Sequence, residues 1–409
     1  MAARRGWSPF LWLCLMGGLA IFSSTMSKNP ALPLFIKSFG VPLGTLGLIA
    51  AASTVTGILA SLPAGILSDL WGRRRVILLS MAVFASAPFL YLLVRSPWQL
   101  ALVRVYHGLA TAILGPVAMA AVADTFQQGR GERMAWYSSA TMVGRFLAPT
   151  AGGLLILGQD FRYVYLGCGL AGMLALLTAT RLPRAEQASL SPSGGSPSNG
   201  KGSLSARWAR TQAELQYILT NQRILVTSLV EAAQYLAFGC AETYLPLYLT
   251  GIGLLPHQIG PLFTVQVLAM ALTKPLMGWL SDRWGRTLSI AAGLLLGALA
   301  VAAMPQTSAY LLLACLMALF GLGMATVTAS TSALVSDLSR GGAYGSAMGV
   351  LSSIMDVGHA SGPVMGGLLV QAVGYGGAFT AVGGILALAA VVFASLVREP
   401  RFEAKRPTF

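Results

Sequence analysis

Hydrophobic and polar positions along this chain fall into long blocks. Twelve apolar runs of helix length are separated by brief polar breaks, over 9–39, 46–67, 76–94, 98–123, 134–157, 161–180, 224–249, 258–280, 288–304, 310–335, 344–372 and 378–397. A helix of about 20 apolar residues crosses a bilayer core. Hydrocarbon offers the backbone no hydrogen-bond partner, so each run is predicted to be a transmembrane helix. The short alternating segments of an outer-membrane barrel are absent.

Between the sixth and seventh runs the pattern stops. Residues 181–206 are rich in Ser, Pro and Gly, as in Ser191-Pro192-Ser193-Gly194-Gly195-Ser196-Pro197. Such a composition buries too little apolar surface to fold. Trp208, Leu215, Ile218 and Leu219 alternate with charge over 207–221 and predict a short amphipathic surface helix. The expected organisation is a bundle of six helices over 1–180, a cytoplasmic linker over 181–221, a second such bundle over 222–397 and a polar tail over 398–409.

The two blocks repeat one another. Gly65-Ile66-Leu67-Ser68-Asp69-Leu70-Trp71-Gly72-Arg73 returns as Gly278-Trp279-Leu280-Ser281-Asp282-Arg283-Trp284-Gly285-Arg286, 213 positions later. At that offset Pro33 also matches Pro246, Gly40 matches Gly253, Gly108 matches Gly321 and Asp124 matches Asp337. The fold class expected is an all-α membrane protein, with 12 transmembrane helices in two pseudo-symmetric six-helix bundles.

Composition agrees. A soluble chain carries about 25% charged residues; this one has 10%, with a mean hydropathy of +0.70. The net charge of +14 would suit nucleic acid, but its distribution argues against that partner. With a cytoplasmic N-terminus, 20 of the 27 Lys and Arg residues fall on the cytoplasmic side. Lys37, Arg95 and Arg162 fall on the other side, and Lys28, Arg104, Arg145 and Lys274 lie inside spans. This positive-inside bias places both termini in the cytoplasm. Arg4 and Arg5 precede an apolar run too long for a signal peptide and without a small-x-small cleavage site. Cys14, Cys168, Cys240 and Cys315 lack C-x-x-C spacing and read as small buried hydrophobes. The sequence has neither a Gly-Lys-Ser/Thr phosphate loop nor metal-ligand spacing. No enzyme activity, cofactor or metal is expected, and transport would draw on a proton or solute gradient.

The duplicated loop resembles the cytoplasmic signature of the major facilitator superfamily, found between the second and third helices and again between the eighth and ninth. The first copy differs at Leu70, where the family usually has Arg; the second has Arg283. The resemblance covers about 10–400 and implies two parallel repeats related by an axis along the membrane normal, with a site near the midplane. It further implies that Asp69 abuts the start of span eleven, whose positive dipole end favours an anion, while Arg73 pairs with Asp124. Together they would latch the halves on the cytoplasmic side while the cavity faces outward. Asp282, Arg286 and Asp337 form the pseudo-symmetric set. Gly65 and Gly72, with Gly278 and Gly285, are read as allowing close packing of helix and loop. Arg74 and Arg75 read as charges that set orientation.

Gly144-Arg145-Phe146-Leu147-Ala148-Pro149-Thr150-Ala151-Gly152-Gly153 in span five resembles the G-x-x-x-G-P-x-x-G-G string of drug/proton antiporters, with Ala148 in place of one Gly. Gly358 to Gly367 repeats it in full in span eleven, with Gly362-Pro363 and Gly366-Gly367. Proline removes a helix hydrogen bond and glycines permit tight crossings. Pro149, Gly152, Gly153, Gly362, Pro363 and Gly366 are therefore read as a rocking joint, and the span-five copy implies export.

Ionisable residues inside a membrane are expensive and mark function by default. Leu100-x-x-x-Arg104-x-x-His107-Gly108 resembles the span-four signature of proton antiporters, with His107 where the family has Gln. His107 reads either as a cavity group or as an interhelical hydrogen bond. Glu231 and Glu242 are close to three turns apart on span seven and share a face. Glu242, the deeper, is the first choice as proton carrier; Glu231 is a second proton site or a snorkelling interfacial side chain. Asp356, three residues before His359, pairs with a base across the bundle or takes a proton itself. Lys28 stands where many family antiporters carry an acid, and with Arg145 it makes the N-terminal half basic. Lys274 reads as snorkelling.

The expected protein is a monomer in the inner (cytoplasmic) membrane, with a small-molecule substrate, protons and the lipid bilayer as partners. Its expected function is proton-coupled efflux of a small organic compound. The alternatives are a proton-coupled importer or exchanger of an organic anion, and a non-transporting sensor or assembly partner.

Overall fold

The structure is a computed structural model that describes residues 9–126, 129–157, 160–182, 220–339 and 344–397. The expected linker and surface helix, apart from their ends, and the polar tail lie outside these residues. Helices account for nearly all of the described chain. They are α1 (Pro9–Lys28), α2 (Ala31–Ser38), α3 (Leu43–Trp71), α4 (Arg73–Tyr91), α5 (Pro97–Thr125), α6 (Arg130–Leu155), α7 (Arg162–Thr180), α8 (Gln222–Gly251), α9 (Pro256–Trp284), α10 (Arg286–Ala303), α11 (Tyr310–Leu338) and α12 (Tyr344–Leu396).

Ten of these segments are long and apolar enough to cross a membrane, counting α1 with α2 as one. Arg145, with Ser138, Ser139, Thr141 and Thr150 around it, makes α6 too polar to enter that count. α12 counts once although Gly374, at φ 73°, breaks it into two spans. With both restored there are twelve spans in two bundles, as the sequence predicts. Span one is itself broken after Lys28, because Pro30 has no N–H to continue the helical ladder.

Capping sets several helix starts. Asn221 Oδ1 accepts from the N–H groups of Arg223 and Ile224 at the start of α8. Ser96 Oγ accepts from Gln99 N at the start of α5, with Pro97 in the first turn. The signature loops are one-residue turns: Gly72 at φ 89° joins α3 to α4, and Gly285 at φ 101° joins α9 to α10. Side-chain-bearing residues rarely adopt that backbone, so glycine is needed for the turn. The expected close packing at Gly65 is not found; it faces open space. Arg74 does more than set orientation. Its guanidinium donates to Thr180 O and Leu182 O, tying the start of α4 to the end of α7. Thr287 repeats this tie at Val397 O in the other half. Cys14, Cys168 and Cys240 are buried as expected, whereas Cys315 is exposed, an environment that an apolar thiol tolerates beside lipid.

Within each half the same pairs of helices pack. α1 lies on α6 and α7, α3 on α5, and α4 on α7; α8 lies on α12, α9 on α11, and α10 on α11 and α12. Small residues set the crossings. A Cβ at Gly144 would overlap Gly18 O, and a Cβ at Gly358 would overlap Ala232 O. Both members of the first crossing lie 214 positions before those of the second.

The halves meet through α3 with α12 and α6 with α9. A Cβ at Gly47 would overlap Pro363 O, and one at Gly260 would overlap Pro149 O. Tyr244 Oη lies within donating distance of Leu43 O (2.9 Å) and Pro363 O (2.7 Å). Thr150 and Thr264 share a hydroxyl hydrogen bond at 2.8 Å. All these contacts lie at the end of the molecule away from the signature loops. Gly65 is five turns further along the face of α3 that carries Gly47, and nothing comes within 4 Å of a Cβ there. Gly278, equally far beyond Gly260, meets only Ala329 of its own half. The halves therefore close at one end and splay at the signature end.

Candidate functional site

At the apex of the splay lies a cavity lined from the N-terminal half by Lys28, Ala50, Thr54 and Arg104, and from the C-terminal half by Glu242, Thr243, His359 and Pro363. Its space of about 30 Å³ takes a water or two rather than an organic solute.

The C-terminal wall holds an acid–base pair. Glu242 Oε2 is 3.1 Å from His359 Nε2, so α8 and α12 bring together two residues 117 positions apart. Phe238 packs against the His359 ring at 5.4 Å and Tyr235 approaches it edge-on at 6.2 Å. The imidazole is thus flanked by two aromatic rings, and both members of the pair line the cavity.

The N-terminal wall holds Arg104, only 2% exposed. Its Nη2 donates to Ala50 O at 2.8 Å, while Nε and Nη1 meet no acceptor among the described residues. Lys28, the last residue of α1, lies across the same cavity. Tyr91 stacks on Tyr165 at 4.5 Å and its hydroxyl is 3.3 Å from His107 Nδ1. His107, edge-on to Phe84, therefore faces α4 and not the cavity, although it is three residues from Arg104.

Other expected residues sit elsewhere. Glu231 is buried, not snorkelling: its Oε2 accepts from Thr331 Oγ1 of α11, inside the C-terminal half. Asp356 is half-buried and has no base within 4 Å among the described residues, so of its two readings the pairing across the bundle is not made here and the proton site is left. Arg145 and Lys274 are exposed. The sequence reading passed over Tyr244 and the Thr150–Thr264 pair; a lone hydroxyl in an apolar run was the available signal.

At the signature end Arg73 bridges two acids, Asp69 one turn earlier and Asp124 Oδ2 at 3.1 Å. Arg286 bridges Asp282 and Asp337 in the same way, with Asp337 Oδ2 at 3.4 Å. Both triads are internal to their halves in this splayed arrangement. Ser68 and Ser281 hydroxyls receive the remaining guanidinium hydrogen bonds.

The duplicated loops, the two six-helix bundles and the cavity between them define a membrane transporter. The sequence profile described as Major Facilitator Superfamily matches residues 13–256 and 227–409, and the chain belongs to that family. It is a multi-pass membrane transporter of small molecules, not an enzyme. It is 25% identical to "Multidrug resistance protein MdtG" of Klebsiella pneumoniae, over 97% of this chain and 94% of that protein. It is 24% identical to "Multidrug resistance protein 2" of Bacillus subtilis, over 83% of each chain. The crystal structure of nucleoside transporter NupG superposes with a TM-score of 0.79 at 13% identity, covering 96% of this chain and 100% of that one. That likeness concerns the fold alone.

Proposed function

We propose that the chain exports a small organic compound in exchange for protons, by rocking its two halves about the far-end contacts. The observation that carries this reading is the Glu242–His359 pair, set on the wall of a cavity shared by both halves. A carboxylate there takes up or releases a proton as the cavity opens to one side and then the other. The names of the multidrug relatives and the Gly–Pro string in α6 support export. The positive-inside bias puts the signature end in the cytoplasm, so the arrangement described here opens inward, in the inner membrane, with both termini cytoplasmic and the chain a monomer. In the outward-open state Asp69 and Asp282 turn from intra-half pairs to a latch between halves.

A second reading, proton-coupled uptake of an organic anion, is favoured by one observation: the N-terminal wall presents Lys28 and Arg104 with no acid of its own. Solute-driven pH change in proteoliposomes separates the two. Under export by antiport, solute added to the lumen and moving out brings protons in and acidifies the lumen. Under symport, the same solute carries protons out with it and the lumen turns alkaline. Absence of any solute-linked proton movement sinks both.

A further inference from the structure

Building on the cavity reading above, we infer that the transported solute carries an anionic group, a carboxylate or a phosphate, which docks on Arg104 and Lys28. Arg104 is a permanent cation and is almost wholly withdrawn from solvent. One of its three nitrogens is used, on Ala50 O. The fork that grips a carboxylate or phosphate through two parallel hydrogen bonds pairs Nη2 with either Nε or Nη1. Nη2 keeps a second N–H beyond the one on Ala50 O, and Nε and Nη1 meet no acceptor at hydrogen-bond geometry among the described residues. The neighbouring Tyr91 hydroxyl interacts with the guanidinium but, being uncharged, cannot neutralise it. Lys28 faces the same cavity; the carbonyl end of α1 offsets part of its charge, and no carboxylate lies within 4 Å of it among the described residues.

The surroundings leave a deficit of negative charge. Arg145 of α6 adds a cation, and Asp356 of α12 acts only at longer range. Glu242 of α8 is the one acid on the cavity wall, and it is held by His359. A buried cation without a counter-charge is costly, so an anion entering the cavity is favoured as soon as the walls part. Glu242 is then the solute's rival for the same positive field. With a proton on Glu242 the rival is gone, and proton and anion assist one another. Proton and anion then travel together, which favours the second reading, uptake by symport, over export in exchange for protons.

The test uses the full chain in lipid nanodiscs and reads binding by thermal stabilisation. The probes are benzoate, glucuronate and phenyl phosphate, with benzamide, glucose and the tetraphenylphosphonium cation as controls. At least one anion is expected to bind where the uncharged controls do not. Lys28→Met and Arg104→Ala should each weaken it by roughly tenfold or more, equivalent to about 1.4 kcal/mol. Arg104→Lys, which keeps the charge and loses the fork, should fall between and guards against a misfolded alanine variant. Glu242→Gln should tighten the anion by at least about threefold. Binding of no anion, anion binding indifferent to Arg104 and Lys28, or an anion weakened by Glu242→Gln overturns the inference. If only the cation binds and Glu242→Gln abolishes it, the anionic class falls while the cavity stands. If no ligand responds to any of these variants, the cavity reading falls with it.

Discussion

The two halves agree in their crossings and disagree in what they present to the cavity. Gly18 and Ala232 occupy matching crossings, and ten residues beyond them come Lys28 and Glu242. Gly144 and Gly358 match likewise, and the next residue is Arg145 in one half and His359 in the other. The repeat thus keeps small residues at these crossings and exchanges charge beyond them, where Lys28 and Glu242 face the cavity. Arg104 deepens the contrast, since Met317 stands at its counterpart. Symmetry governs how the halves move, and its breaking at a few positions governs what they move.

The strongest way to test that contrast is to erase one sign. Glu242→Gln leaves the half-buried His359 without its acid, a loss of about 1–3 kcal/mol. Proton-coupled flux in proteoliposomes should fall by roughly two decades. Lys28→Met, its counterpart, leaves the Glu242–His359 pair intact and should cut flux less, about tenfold. Equal losses in the two variants would argue against distinct duties for the two walls.

The symmetric part of the comparison predicts equal effects. Gly47→Ala and Gly260→Ala each push a methyl group against a proline carbonyl, at about 1–3 kcal/mol. Each should hold the far end ajar, cutting flux and raising labelling of a cysteine placed at Leu43 or Pro256 by similar factors. A large effect in one and none in the other would break the equivalence. Tyr244→Phe has no counterpart in the N-terminal half. It removes the hydroxyl that reaches Leu43 O and Pro363 O, worth about 1 kcal/mol, so far-end labelling should rise about fivefold. Asp69→Asn and Asp282→Asn touch exposed pairs worth about 0.2–1 kcal/mol. They should leave thermal stability nearly unchanged, and any larger loss of flux in them reports the latch in the other conformation.

Much of this was readable before any coordinates. Twelve apolar runs mark twelve spans because hydrocarbon forces each into helix, and the duplicated loop shows that six of them come twice. Gly72 and Gly285 stand out in the pattern, but the reason for them, a one-residue turn at positive φ, required the backbone. The broken first span was half visible in Asn29-Pro30. The pairing of Glu242 with His359 was not, since nothing in spacing along the chain encodes which helix becomes the neighbour of which. His107 stayed open between two readings for a related reason, and the structure gives it the interhelical hydrogen bond, to Tyr91. Three residues separate His107 from Arg104, but 60° of helical rotation turns one toward α4 and the other toward the cavity. Glu231 was left open as well, because a carboxylate about two turns into a span can still snorkel to the interface; Thr331 satisfies it inside the bundle instead.

The far-end seal is made largely of main chain: proline carbonyls against glycine, with a few hydroxyls beside them. Its fit depends on backbone shape and hardly on the chemistry of the residues around the solute. Substitutions that retune the pocket for a different compound can therefore accumulate without loosening the closure. A scaffold of this kind is open to redesign of its cargo preference while its gating geometry is left alone.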